Sequence, residues 1–231
     1  MGPDVQVLAL QTPARALRMQ LKPYTRMEEI IAEALAAFDS ISDLPFVFYG
    51  HSLGAAVAFE LTRALRRQGR PQPLHLFIGA ARPPQFGPIQ PCIHELPQEE
   101  FLSAVQLRYG GIPEAVANEP ELMSIFLPAL RADFAVYENY RLLPEPPINC
   151  PITAFCGDQD SLVTPQAMKQ WGIHTSAVFD FEVLRGDHFF LGTHIDTLTA
   201  KIRAVLKNTR PEAGQGVQFG LGSSFAGDPL V

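Results

Sequence analysis

The feature that most constrains the fold of this 231-residue chain is the pentapeptide GHSLG at Gly50–Gly54. It directly follows the apolar run Pro45–Tyr49 and directly precedes a segment of helical period that ends near Gln68. A G-x-S-x-G spacing between a strand and a helix is typical of a crowded turn, flanked by small residues, that lifts a serine above the end of a sheet. The pattern predicts an accessible Ser52 hydroxyl, with the Leu53 N–H at the helix N-terminus able to stabilise an oxyanion.

Short apolar runs alternate with longer helical segments along the rest of the chain. Continuous apolar runs, unlike alternating ones, indicate strands that are covered on both faces, as in a parallel sheet. The predicted strands are Val5–Leu10, Pro45–Tyr49, Leu74–Ile78, Pro151–Cys156 and Phe179–Leu184. This alternation predicts an α/β fold in which a mostly parallel sheet is flanked by helices.

Two of the three helices predicted outside the region 97–141 have a recognisable end. Thr25 and Glu28 form a capping box ahead of an apolar helical stripe over Met27–Phe38. The helix that follows GHSLG is ended by Gly69, as expected for a residue that tolerates the left-handed conformation. A last helix is predicted over about Ile195–Leu206.

Two stretches differ from this alternating pattern. Residues 97–141 contain only helical patterns, which predicts a helical lid inserted between two strands. Extra crossover helices without a role at the site would give the same pattern. Residues 208–231 carry five glycines and little periodicity, so we expect a flexible tail after a domain that spans residues 1–207.

The composition excludes several classes of function. With 47% hydrophobic and 18% charged residues, the chain is too apolar to be disordered. The net charge is −6 and the basic residues concentrate only on one predicted helix, so we expect no nucleic acid partner. No apolar run approaches the roughly 20 residues of a membrane span, and the N-terminal residues lack the pattern of a secretion signal. Three cysteines without a metal-binding spacing suit a reducing cytosol, so we expect a cytoplasmic protein with no metal site.

A nucleophilic serine needs a general base and a carboxylate that orients the base. On folds with this turn, the chain order is serine, acid, histidine. Asp158 and Asp160 both follow the fourth predicted strand, and Asp160 is favoured because Asp158 stands at the strand end, where it is suited to holding the turn. His188 follows the last predicted strand, in the kind of loop where a mobile base belongs.

The other five histidines fit the role of base less well. His51 lies on the turn itself, so its ring cannot reach the serine hydroxyl in line. His75 lies inside an apolar strand, where a lone histidine is usually structural. His94 and His174 break the expected chain order, and His194 stands where a helix cap is the simpler explanation.

Together these residues resemble the type II, or editing, thioesterases of the α/β-hydrolase superfamily, which accompany polyketide and non-ribosomal peptide synthetases. The resemblance rests on GHSLG, on Gly157–Asp160 and on Gly186–Phe190. It extends to Leu130–Phe134, which is similar to a recurring lid segment of that family, and it covers about residues 5–206. One small departure is Ala14, which stands where the family usually has a glycine.

The resemblance implies hydrolysis of acyl thioesters on the phosphopantetheine arm of an acyl or peptidyl carrier protein. It implies Ser52 as nucleophile, His188 as base, Asp160 as orienting acid and Leu53 as oxyanion donor, without a metal or an organic cofactor. The lid is expected to form the acyl chamber, although apolar residues at helical spacing are more often lid packing. Candidates to line the chamber are Phe101, Met123, Phe126 and Phe134, followed by Leu107, Tyr109 and Leu127.

Two other functions fit the same residues. A generic carboxylesterase or lipase would share the triad, and a non-catalytic relative would only dock carrier proteins. The second alternative arises because the family usually begins with a strand and a glycine-containing loop that supplies another oxyanion N–H. We therefore expect an N-terminally truncated chain whose preceding strand would lie between Val5–Leu10 and Pro45–Tyr49.

Overall fold

A parallel sheet forms the centre of the structure. The computed structural model describes residues 5–38, 44–109 and 119–208. In these ranges the strand order is β1-β2-β3-β4, and all neighbouring pairs are parallel. The strands are β1 (Phe48–His51), β2 (Leu76–Gly79), β3 (Ile152–Gly157) and β4 (Phe179–Leu184). The predicted α/β fold with a parallel sheet is confirmed, with some strand ends displaced by a few residues.

The strand predicted at Val5–Leu10 does not form, so this prediction is wrong. These residues have no regular secondary structure, and Val7 is 67% exposed. An apolar run becomes a strand only where its N–H and C=O groups pair with a neighbour. No backbone hydrogen bond joins residues 5–10 to another part of the described chain. Within the described residues, β1 is therefore an edge of the sheet.

Helices cover both faces of the sheet. The α-helices within the described residues are α1 (Met27–Phe38), α2 (Leu53–Arg67), α3 (Gln98–Tyr109), α4 (Pro120–Asn139), α5 (Pro165–Lys169) and α6 (Leu191–Asn208). On one face, α2 packs with Leu76 and Ile78 of β2. On the other face, α6 packs with Phe77, because successive residues of a strand point to opposite sides. The helix α1 packs against the outer side of α2 and thickens that layer.

Two helix N-termini differ from the prediction. Because α1 begins at Met27, the residue that reaches back over its first turn is Glu29, whose carboxylate accepts the N–H groups of Thr25 and Arg26, each at 3.0 Å. Glu28 instead pairs with the Arg26 guanidinium at 3.3 Å, so the predicted Thr25–Glu28 box is wrong. The last helix begins four residues earlier than predicted, at Leu191, and has a non-helical residue at His194.

The helical patterns predicted between residues 97 and 141 form α3 and α4, which together are called the helical insertion below. The insertion has a small core of its own, in which Ile93, Phe101 and Val105 are buried. The Glu138 carboxylate of α4 accepts the backbone N–H of Ile93 at 2.9 Å, which attaches the preceding loop to the insertion. Residues 110–118 and the predicted tail beyond Asn208 lie outside the described residues. None of the described helices combines the length and the apolar character that a membrane span requires.

Candidate active site

Ser52 lies on the turn between β1 and α2 in a strained backbone conformation, with φ 53° and ψ −120°. Its N–H donates to the Gly79 carbonyl of β2 at 2.8 Å, which fixes the turn against the sheet. A Cβ atom at Gly50 would lie 2.2 Å from the Gly54 carbonyl oxygen, so only glycine fits there. A Cβ atom at Gly54 would meet open space. The expectation that the turn needs small residues on both sides therefore holds at Gly50 and is wrong at Gly54.

The structure brings Ser52, His188 and Asp160 into one hydrogen-bonded series. His188 Nε2 lies 3.0 Å from Ser52 Oγ, and His188 Nδ1 lies 2.8 Å from Asp160 Oδ2. A carboxylate can only accept, so Nδ1 carries the proton and Nε2 presents a lone pair to the serine hydroxyl. His188 and Asp160 are both buried, which removes competing water from the pair. This arrangement can take a proton from Ser52 when its oxygen attacks an electrophile.

Asp160 is held as a carboxylate by the groups around it. Its Oδ1 accepts the backbone N–H groups of Leu162 at 2.9 Å and Val163 at 3.0 Å, while Oδ2 faces His188. Burial alone would raise the pKa of Asp160, but the hydrogen bond from His188 and the two amides outweigh it and hold the pKa below its ordinary value. A negative charge beside Nδ1 favours a positive imidazole during proton transfer.

The loops that carry the acid and the base are in direct contact. A Cβ atom at Gly157 would lie 2.2 Å from the Gly186 carbonyl oxygen, so the two loops approach as closely as a glycine allows. The Asp158 carboxylate accepts the Gly186 N–H at 2.8 Å. Asp158 therefore ties the loops together, while Asp160 contacts the imidazole.

The amide of Leu53 is placed to act as a hydrogen-bond donor above the sheet. Leu53 is the first residue of α2, and the first N–H groups of a helix have no acceptor within the helix. The helix dipole adds a partial positive charge at the same end. An oxygen that becomes negative beside Ser52 would meet this end of α2.

A cavity of about 1630 Å³ opens at Ser52. On one side it is lined by the helical insertion, including Tyr109, Leu130 and Phe134. On another side it continues along β1, between residues of α1 and α6. The side chains of Tyr109, Leu130 and Phe134 make this part of the lining largely apolar and aromatic, which suits an acyl chain more than a polar ligand.

The chamber residues predicted from helical spacing lie in different places. Phe134 lines the cavity, and so does Tyr109. Phe101 and Met123 are buried and do not line it, and Phe126 is 48% exposed and does not line it either. Phe101 packs under the Arg131 guanidinium, 4.3 Å from the ring centroid, inside the insertion. Phe101, Met123 and Phe126 are thus not among the residues that line the cavity, because which side of a helix faces the cavity depends on how that helix is rotated in the fold.

The side chains of the other five histidines form hydrogen bonds with groups other than Ser52. Four of them have partners away from the turn: His75 bonds to Thr153, His94 to Glu138, His174 to Gln85 and His194 to the Arg185 carbonyl. His51 is different, because its Nε2 lies 2.7 Å from the carbonyl oxygen of His188. Its place next to Ser52 in the sequence was the only signal that it belongs to the site.

One further pair at the cavity was not predicted. The Arg15 guanidinium forms an ion pair with the Asp133 carboxylate of α4, and both residues line the cavity. Burial raises the pKa of Asp133 despite the opposing effect of Arg15. The pair attaches the helical insertion to the N-terminal segment. Asp133 belongs to a segment that carries the family resemblance and Arg15 follows the departure at Ala14, but spacing alone does not indicate that the two residues meet.

The fold and the site together define an α/β-hydrolase, with a serine on the turn after a parallel strand and a histidine on the loop after the last strand. A family model described as "Thioesterase domain" matches residues 1–206. The chain belongs to this thioesterase family.

Individual relatives agree with this assignment. The chain is similar to the gramicidin S biosynthesis protein GrsT of Aneurinibacillus migulanus, with 37% identity over 81% of this chain and 73% of that protein. Among solved structures it is similar to the RedJ thioesterase of the prodiginine pathway in Streptomyces coelicolor, with 33% identity, a TM-score of 0.81 and coverage of 88% and 81%. It is also similar to the type II thioesterase BorB of the borrelidin cluster, with 31% identity, a TM-score of 0.77 and coverage of 89% and 81%.

Proposed function

We propose that this thioesterase hydrolyses acyl thioesters through an acyl-serine intermediate on Ser52. The observation that carries the proposal is the series of Ser52, His188 and Asp160, with contacts of 3.0 and 2.8 Å, at the turn between a strand and a helix. The chain's membership of the thioesterase family supports the choice of a thioester as the bond that is cleaved.

In the acylation half-reaction, Ser52 Oγ bonds to the thioester carbonyl carbon while its proton moves to His188 Nε2. The carbonyl oxygen becomes negative and accepts a hydrogen bond from the Leu53 N–H. Asp160 stabilises the imidazolium and keeps Nε2 directed at the serine. When the tetrahedral intermediate collapses, the C–S bond breaks, the sulfur takes the proton from His188, and a thiol leaves.

In the second half-reaction, water replaces the thiol. His188 takes a proton from the water as its oxygen attacks the acyl carbon, and the same N–H donor holds the new oxyanion. Collapse of this intermediate breaks the bond to Ser52 Oγ, which takes the proton back from His188. The products are a carboxylic acid and the free serine.

We infer that the thioester is carried on the phosphopantetheine arm of an acyl or peptidyl carrier protein. The names of GrsT, RedJ and BorB refer to biosynthetic pathways, and BorB is named as a type II thioesterase, which supports this class of substrate. The apolar cavity beside Tyr109 and Phe134 has room for an acyl chain that ends at Ser52. In this proposal the helical insertion is the lid of a single domain that spans residues 1–207.

The test compares the parent chain with Ser52→Ala on three substrates that share one acyl group. The substrates are an acyl carrier protein thioester, an N-acetylcysteamine thioester and a 4-nitrophenyl ester. We expect Ser52→Ala to lose at least about 10³-fold in kcat on both thioesters, and the parent to have its highest kcat/KM on the carrier protein. A preference for the 4-nitrophenyl ester would indicate a generic carboxylesterase. A parent chain that binds the carrier protein without turnover would indicate a non-catalytic relative.

A further inference from the structure

His51 is the histidine of the GHSLG turn, and the proposed mechanism does not use it. Its Nε2 lies 2.7 Å from the carbonyl oxygen of His188. A carbonyl oxygen can only accept a hydrogen bond, so Nε2 of His51 must carry a proton. The His51 side chain, next to the nucleophile Ser52, therefore donates a hydrogen bond to the main chain of the base, His188.

The second nitrogen of His51 has a partner of its own. Nδ1 lies 3.3 Å from the Tyr49 hydroxyl. A neutral imidazole with its proton on Nε2 has a lone pair on Nδ1, which accepts the hydroxyl hydrogen. Burial lowers the pKa of His51 and raises the pKa of Tyr49 to about 12, so both groups are neutral at neutral pH. The result is a series of two hydrogen bonds, in which the Tyr49 hydroxyl donates to His51 Nδ1 and His51 Nε2 donates to the His188 carbonyl oxygen.

Packing holds the His51 ring in this position. It meets the rings of His188 and Phe190 edge-on, with centroids 5.6 and 5.2 Å away. On another side, a Cβ atom at Gly79 would lie 2.8 Å from His51 Nδ1 and 3.0 Å from the Tyr49 hydroxyl. The space for this pair thus depends on the absence of a side chain at Gly79.

We propose that His51 is a positioning residue, which fixes the main chain of His188 so that its imidazole stays between Ser52 and Asp160. This inference rests on the proposed function, in which His188 moves the proton. Asp160 contacts only one atom of the imidazole, Nδ1, which lies on the side away from Ser52. The bond from His51 adds a second fixed point, at the carbonyl of the same residue, and connects the loop after β4 to the end of β1. With both points fixed, Nε2 is kept 3.0 Å from Ser52 Oγ.

Three substitutions at His51 separate the hydrogen bond from the packing. His51→Gln places an amide N–H near the position of Nε2 and can still donate to the His188 carbonyl. His51→Asn places its amide near Nδ1, where it cannot reach that carbonyl. His51→Phe keeps the ring packing and has no donor.

We expect His51→Gln to retain kcat within about threefold, whereas His51→Asn and His51→Phe lose on the order of 10²-fold in kcat, as for a displaced catalytic group. KM for the N-acetylcysteamine thioester should change by less than about twofold, because His51 acts on the base rather than on substrate binding. Melting temperatures measured for all variants show whether a loss of kcat is caused by unfolding of the variant.

A second approach disturbs His51 without changing it. Gly79→Ala places a methyl group against His51 Nδ1, so it should lower kcat in the parent chain. It should lower kcat less in the His51→Phe variant, because both substitutions disturb the same hydrogen bond from His51 to the His188 carbonyl. A His51→Phe variant with parent kcat would overturn the inference, as would equal losses in His51→Gln and His51→Asn. A Ser52→Ala variant that keeps its activity would instead overturn the proposed function, so the two failures are distinguishable.

Discussion

The phenol ring of Tyr109, the last residue of α3, packs edge-on against the imidazole of His188, with ring centroids 5.3 Å apart. The same phenol meets Phe134 of α4 edge-on at 5.5 Å. One side chain therefore connects both helices of the helical insertion to the base. Burial raises the pKa of Tyr109, so the phenol is neutral and its contact with His188 is one of packing.

Removing the Tyr109 ring is expected to weaken catalysis modestly. An edge-on aromatic contact contributes about 0.5–1.5 kcal/mol beyond its buried area, so Tyr109→Ala should lower kcat by roughly 3- to 10-fold. Tyr109→Phe keeps the ring and serves as the matched control, with kcat close to that of the parent. Steady-state assays on one thioester decide between them, and equal losses in the two variants would assign the effect to the hydroxyl.

The two aspartates after β3 are expected to respond very differently to amide substitution. Asp160→Asn removes the negative charge beside Nδ1 and favours the wrong imidazole tautomer, which in triads costs about 10³–10⁴ in kcat. Asp158→Asn keeps a side-chain oxygen that can accept the Gly186 N–H, so kcat should stay within about threefold. Measured kcat values in the reverse order would transfer the orienting role to Asp158.

The two glycines of GHSLG are expected to tolerate alanine unequally. Gly50→Ala forces a methyl group onto the Gly54 backbone, and overpacking of this kind costs about 1–3 kcal/mol or more in unfolding free energy. Gly54→Ala adds a methyl group in open space on the first turn of α2, where alanine favours the helix. Urea denaturation of both variants should show a loss of stability only for Gly50→Ala, and a stable Gly50→Ala would contradict the close approach seen at the turn.

The acyl preference is expected to depend on Phe134 and not on Phe126. Phe134→Ala enlarges the cavity beside Tyr109 and should shift kcat/KM toward longer or bulkier acyl groups, by up to about 10-fold for each added group that fits. Phe126→Ala changes an exposed side chain on the same helix and should leave the ranking of substrates unchanged. A series of N-acetylcysteamine thioesters measures both rankings, and a shift caused by Phe126→Ala would place the acyl chain elsewhere.

Stability is expected to fall in mild acid because of His174. Burial, assisted by the nearby Arg63 charge, lowers the pKa of His174 to about 4, compared with about 6.5 in an unfolded chain. As the pH falls, the histidine of the unfolded chain therefore takes up a proton before that of the folded chain. The contribution of His174 to the free energy of unfolding is complete above about pH 6.5 and is lost as the pH falls toward about 4. The loss should be on the order of 3 kcal/mol, because one pKa unit corresponds to about 1.4 kcal/mol.

His174→Phe is the comparison for this effect, because it keeps the edge-on contacts with Phe59 and Trp171 and cannot titrate. Urea denaturation between pH 7 and pH 4 should give the variant a flatter pH profile of unfolding free energy than the parent. Parallel profiles would show that other groups cause the acid sensitivity.

The sequence predicts the parts of the site that are encoded locally. GHSLG carries its own conformational requirement at Gly50, and Asp160 and His188 follow apolar runs whose ends lie at one edge of a parallel sheet. The same reasoning fails where the outcome depends on distant parts of the chain. Val5–Leu10 has the composition of a strand, but pairing decides whether a strand forms.

The helical insertion shows a second reason for failure. Phe101 and Phe134 have similar spacing on apolar helices, and only the rotation of α3 and α4 decides that Phe134 lines the cavity while Phe101 is buried between helices. The contact from His51 to the His188 carbonyl also joins residues that are 137 positions apart, so no local pattern encodes it.

Ser52 and His188, whose side chains lie 3.0 Å apart, are separated by 136 residues along the chain. We expect this contact to require the assembled sheet, because Ser52 follows β1, His188 follows β4, and β2 and β3 lie between those two strands. Contacts of such long range are formed slowly, because the entropy of closing the intervening chain is lost before they can form. During refolding from denaturant, the helical circular dichroism signal should consequently recover before thioester hydrolysis does. Turnover would then measure the fraction of molecules that have completed the sheet.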